Sequence, residues 1–325
     1  MKSPTIQRII HPGMPLAALL VVLYLGSWVL NFYHLRDFHD FSAAEIRLFE
    51  PSKLKLILSV FLITALNLLM IVFLNNKYFI IRVRSFLPIF LYAFFITAWE
   101  ESHFLISSHL FLTVFLICLM LFLGMYKNRK AVLPAFWGSL LISLISIFNP
   151  VYLFLMPVVW IGFAQLKSFS TRVFLASFMG MLVPWIFYLS YQLYAGNEIL
   201  IFNTLFEEFQ PGFLLTDLSL HKRIYIGFLF LIFIISLVGI YTNLLNDSAQ
   251  TRKNINFFVL ILVFLIPLIV IFPRHTLAFL PLVAFFLSML LAHPFTLNNS
   301  RFFTLLFFVF CAVNAAYMYF NYFIF

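Results

Sequence analysis

Charge is the scarcest property of this 325-residue chain: Asp, Glu, Lys and Arg make up 10% of it, against 64% hydrophobic residues. A water-soluble fold of that length could not hide so much apolar surface, so soluble enzymes and soluble binding modules are excluded. Cysteine is nearly absent. Cys118 and Cys311, the 2 that occur, sit inside separate apolar runs, which argues against a disulfide framework or a cysteine metal cluster. Glycine is thin at 10 residues, and no Gly-rich phosphate-cradling loop, zinc-ligand spacing, internal repeat or low-complexity tract is found. Nor does any Asp, Glu, Lys or Arg fall in the central third of an apolar run. Ion-coupled carriers place ionisable groups there, so coupled transport is disfavoured.

What the chain does have is long apolar runs, at 14–33, 54–74, 83–99, 104–126, 133–149, 151–166, 173–195, 224–245, 255–273, 276–292 and 302–325. About 20 residues of helix cross a hydrocarbon core of roughly 30 Å. The first run follows Lys2 and Arg8 without a small-residue cleavage site and reads as a retained anchor. The pair 133–149 and 151–166 is short and divided by Asn149-Pro150, so it forms either a tight transmembrane hairpin or a re-entrant one. The expected fold is all-α: a polytopic transmembrane helical bundle of about 11 spans, or 9 if 133–166 is re-entrant, within one integral membrane domain over 1–325.

Charge sets the orientation. With the N-terminus taken as inside, the inner segments carry 13 of the 20 basic residues, among them Lys77, Arg82, Lys127, Arg129 and Lys130, and a single acid, Asp247. The outer segments carry the other 10 of the 11 acids. That asymmetry follows the positive-inside rule and places the N-terminus inside and Phe325 outside. The net charge of +9 is spread over short loops beside lipid, so the bilayer is the expected partner and nucleic acid is not.

The two longest connections, 34–53 and 196–223, both belong to the outer face. In the first, Ser42 to Glu45 has capping-box spacing, which predicts a short helix from about 43 to 50, ending at Pro51. In the second, Ile199, Phe202, Leu205, Phe206 and Phe209 share a helical face opposite Asn203 and Glu207, which predicts an interfacial helix stopped by Pro211-Gly212. The first loop also reads His34-Leu-Arg36-Asp37-Phe-His39-Asp40, and a second acidic segment reads Trp99-Glu100-Glu101-Ser-His103. Pro273-Arg274-His275 joins two late runs.

Converging carboxylates can act as a general base or hold a divalent cation, and an Arg fork suits a phosphate. The candidate catalytic residues are therefore Asp37, Asp40, Glu100 and Glu101. Arg274 and His275 are candidates for substrate phosphate, and Asp37, His39, Asp40, Glu100 and His103 for a divalent cation. The same acids also fit a plainer role, solvating the outer ends of helices.

An Asp-bearing first outer loop with a short juxtamembrane helix, an acidic loop between the third and fourth runs, and Arg274-His275-Thr-Leu-Ala-Phe-Leu-Pro281-Leu282 together resemble the polytopic GT-C glycosyltransferases. That resemblance implies transfer of a sugar from a polyprenyl-phosphate donor at the outer face. The chain departs from that pattern in lacking an Asp-Glu pair in the first loop, in having His rather than Tyr at 275, and in having no large outer domain. Separately, Phe148-Asn-Pro150, Pro157-Val-Val-Trp160-Ile-Gly162 and Gly180-Met-Leu-Val-Pro184 resemble a family of small bacterial inner-membrane proteins rich in Phe and Leu. This second resemblance implies a multi-pass inner-membrane location and no activity.

Three functional readings stand at this point. One is a GT-C-like enzyme or degenerate relative. Another is a non-catalytic membrane subunit of a cell-envelope assembly or export complex, partnered by other envelope membrane proteins. The last is a transporter or flippase for a lipid or hydrophobic solute.

Overall fold

The computed structural model of the chain describes residues 26, 28, 53–82, 85–196, 208–210, 219–298 and 300–323. Among them, helix is the regular structure throughout. In lipid every backbone N–H and C=O must be satisfied within the segment, and helix does this without a neighbour. The helices are α1 Lys53–Tyr78, α2 Leu87–Ala98, α3 Ile106–Leu123, α4 Val132–Ser146 and α5 Leu155–Gln165, followed by α6 Thr171–Tyr194, α7 Leu220–Asn243, α8 Ala249–Ile271, α9 Thr276–Leu297 and α10 Arg301–Phe323.

Seven of these elements, α1, α3 and α6 to α10, are long and apolar enough to cross a membrane. The protein is thus a polytopic membrane protein of the all-α class. Three apolar helices are shorter. At 12 residues, α2 reaches only about 18 Å. It is cut off by the 3-10 turn Glu100–Phe104. The expected break at Asn149-Pro150 is real: the Asn149 side chain accepts from Val151 N–H at 3.3 Å and starts a 3-10 turn, Pro150–Phe154, before α5. The first apolar run apart from 26 and 28, the helix expected at 43–50 and all but 208–210 of the interfacial helix lie outside the described residues.

Two compact units emerge. One comprises Met1–Leu110, Leu218–Thr251 and Leu277–Phe325. Its centre is α2, every residue of which is buried, and α9, buried from Ala278 to Thr296 with few gaps. Phe310 of α10 meets the rings of Phe94 and Phe95 of α2 edge-on, at 6.4 and 5.3 Å. Along α10, Phe307, Phe310, Asn314, Tyr317 and Asn321 recur at helical spacing and are all buried.

The other unit comprises Phe111–Asp217 and Arg252–Thr276. It is built on a seam of small residues. On α4, Ala135, Ser139, Ser143 and Ser146 are buried; on α6, Ser177, Gly180 and Pro184 are. A Cβ at Gly180 would sit 2.4 Å from the Phe136 carbonyl oxygen, so only glycine permits this approach. Ser139 and Ser177 share a hydrogen bond of 2.5 Å, Ser143 donates to the Met181 carbonyl at 2.5 Å, and Trp160 and Trp185 donate to Ser177 and Ser146, each at 2.9 Å.

Candidate functional site

Burial forces the α2–α3 connection into shape. Trp99 ends α2, and the Ser102 hydroxyl lies 2.6 Å from the Ile96 carbonyl and 2.7 Å from that of Trp99, back-capping the helix. Beneath this turn is a buried polar knot. The His109 Nε2 of α3 lies 2.9 Å from the Ser102 carbonyl, and the Asn67 amide of α1 donates to the His109 carbonyl at 3.1 Å. Thr64 Oγ1 sits 3.4 Å from His109 Nδ1. The turn is therefore anchored by residues of α1, α2 and the start of α3.

It presents Glu101. One carboxylate oxygen, Oε1, forms an ion pair with the Lys222 ammonium at the start of α7, with the two side chains 16% and 23% exposed. The other oxygen, Oε2, is buried and has no hydrogen-bond partner among the described residues. Aromatic rings pack nearby. Trp99 lies 6.0 Å from Tyr225 and 5.8 Å from Tyr317, and those two tyrosines stack at 3.8 Å, nearly parallel. Tyr225 donates its hydroxyl to Asn314 Oδ1 at 2.5 Å, while the Tyr317 hydroxyl has no hydrogen-bond partner among the described residues. His221 stands 6.4 Å from the Tyr317 ring. The result is a largely buried carboxylate with one oxygen held by a cation and aromatic rings in the same region.

The other expected residues divide. His103 is buried, its ring 4.5 Å from Trp28 and close to edge-on. Glu100 opens the turn, but its side chain is not among those described. Asp37, His39 and Asp40 lie outside the described residues. Arg274 and His275 belong to the other unit. There, on the 3-10 turn Pro273–His275, Arg274 is exposed. The His275 Nε2 lies 3.0 Å from the Glu208 carbonyl and 3.2 Å from its carboxylate. A carbonyl only accepts, so Nε2 carries the hydrogen and the ring is committed to holding Glu208. Among the described residues no three His, Cys, Asp or Glu side chains gather closely enough to hold a metal ion.

Sequence reasoning missed Lys222, Tyr225, Tyr317 and the pairing of His275 with Glu208. The buried Asn314-Tyr317-Asn321 stripe was a usable signal, because polar residues at helical spacing on an apolar helix mark a face turned to protein. A second polar pair also went unread: His293 Nε2 meets Asp247 Oδ2 at 3.0 Å, both side chains 1% exposed. Arg82 adds a bond to the neighbouring Asn246 carbonyl at 3.2 Å.

No family model, curated protein or solved structure matches the chain. The geometry is thus what a functional reading rests on.

Proposed function

We propose that the chain is an eleven-span protein of a bacterial inner membrane, N-terminus inside and C-terminus outside, whose outer face carries GT-C-like sugar transfer from a polyprenyl-phosphate donor. The observation that supports this reading is Glu101, a carboxylate anchored by Lys222 on one oxygen and without a hydrogen-bond partner among the described residues on the other. In the proposed reaction Glu101 Oε2 takes the proton of an acceptor hydroxyl. The hydroxyl oxygen then bonds to the anomeric carbon, and the bond from that carbon to the phosphate oxygen breaks. The electron pair leaves with the polyprenyl phosphate. Asp37, Asp40 and Glu100 would share with Glu101 the hold on acceptor or on a divalent cation, whose role would be to neutralise the leaving phosphate.

A second reading has its own support. His103 and His275 are both turned inward, against Trp28 and Glu208, and residues spent on packing suit a non-catalytic subunit of an envelope complex.

Deleting the gene and profiling lipid-linked saccharides by mass spectrometry separates the two. The enzyme reading expects a polyprenyl-linked sugar donor to accumulate, with reversal by the wild-type chain but not by Glu101→Gln. An unchanged lipid-linked pool would overturn it and leave the subunit reading. A cytoplasm-only reporter fused after Phe325 should be silent in either case, and a strong signal from the intact fusion would reverse the orientation.

A further inference from the structure

Glu101 does not hold its position alone. Its turn is short, 5 residues from Glu100 to Phe104, and 3-10 hydrogen bonding is too strained to fix a side chain unaided. What stabilises it lies one layer deeper. The Ser102 carbonyl follows Glu101 by one residue and meets His109 Nε2 at 2.9 Å. Because that carbonyl can only accept, the hydrogen sits on Nε2, and Nδ1 faces Thr64 Oγ1 as an acceptor. The Thr64 hydroxyl has a closer acceptor in the Val60 carbonyl at 2.8 Å, so the Nε2 bond is the strong one at this ring. The imidazole is held in turn by its own backbone, which receives the Asn67 amide at 3.1 Å. Thr64, Asn67, Ser102 and His109 are all fully buried. In such a setting an N–H aimed at a carbonyl is costly to lose, because neither group finds water instead.

We infer that His109 is a positioning residue: its Nε2–H fixes the Ser102 carbonyl and thereby aims Glu101 at Lys222. The inference rests on the reading of Glu101 as the working carboxylate for its functional meaning, but its geometry can be tested without any activity. His109 never touches the reacting groups in this account. It acts through the Ser102–His103 peptide, whose carbonyl it fixes one residue beyond Glu101.

The test places cysteines at Glu101 and Lys222, with Cys311→Ala and the fully buried Cys118 left in place, and measures how fast a short bifunctional thiol reagent bridges them. His109→Leu should slow bridging about tenfold, the scale set by one buried hydrogen bond, and His109→Gln, which keeps a donor, should recover most of it. Equal bridging in His109→Leu, or a His109→Gln variant as slow as His109→Leu, would overturn the inference. Nitrogen-15 NMR of the wild-type chain gives a second readout that needs no variant at position 109. It should report the neutral Nε2–H tautomer at His109, and an Nδ1–H tautomer would contradict the account. If bridging follows the expectation while Glu101→Gln supports full function in the cell, the positioning role stands and the enzyme reading falls.

Discussion

Each unit packs its own helices together, and the two do so by opposite means. The first joins its elements through named polar partners: His109 with Ser102 and Asn67, Tyr225 with Asn314, Asp247 with His293, and the Asn321 amide with the Ala98 carbonyl at 3.3 Å. In the second, α4 and α6 meet through the closeness of small residues, and its tryptophans and serines bond along a seam that glycine makes possible. The difference has a physical consequence. Unsatisfied polar groups are costly in a dry interior, so the first unit should be sensitive to truncation. A seam closed to within a methyl group should instead be sensitive to added bulk and tolerant of a lost hydroxyl. The first arrangement also specifies a site, because each partner dictates where the next must lie.

The largest expected break of this contrast is in the seam. Gly180→Leu meets backbone, not a movable side chain, at 2.4 Å, and should cost about 3 kcal/mol or more or prevent assembly of the second unit. Thermal unfolding in detergent measures it, and a variant as stable as wild type would remove glycine from the argument. Next is the Asp247–His293 pair. Asp247→Ala strips a buried ring nitrogen of its partner and should cost about 2 kcal/mol. The double change Asp247→Leu with His293→Leu should recover part of that loss, because an apolar pair leaves nothing unsatisfied. A double variant worse than the single one would show that the pair does more than satisfy itself. Smallest is Ser143→Ala, which removes one interhelical hydrogen bond from the seam and should cost only about 0.6 kcal/mol. A loss several times larger would erase the distinction between the units.

Much of this was readable in the chain, and the reason lies in which forces are local. Hydropathy alone marks α1, α3 and α6 to α10, since a run of Leu, Ile and Phe in lipid has no alternative to helix. Asn149-Pro150 was legible because a side-chain cap and a proline act within two residues of each other. The end of α2 was legible too, since the run 83–99 stops at Glu100-Glu101; the device that closes it, the Ser102 hydroxyl folded back onto the Ile96 and Trp99 carbonyls, was not. Glu101 could be picked out as an acid beside an apolar run, but its partner lies 121 residues away and no periodicity joins them. His103 stands in the sequence among the acids of the second loop as a candidate cation ligand, and His109 lies six residues further on. Both are buried, because a neutral imidazole that finds an aromatic face or a carbonyl is as good a core residue as an asparagine.

The most direct measurement of the central claim is a charge exchange at the Glu101–Lys222 pair. Glu101→Lys alone and Lys222→Glu alone each put like charges together and should destabilise the chain. Combining them restores an ion pair with its members reversed, so the melting temperature should return toward wild type. The account predicts that cellular function does not return with it, because the carboxylate has left the turn that His109 holds and now stands on α7. A double exchange that restores both stability and function would show that the pair only clamps two helices, and would contradict the placing of chemistry at Glu101.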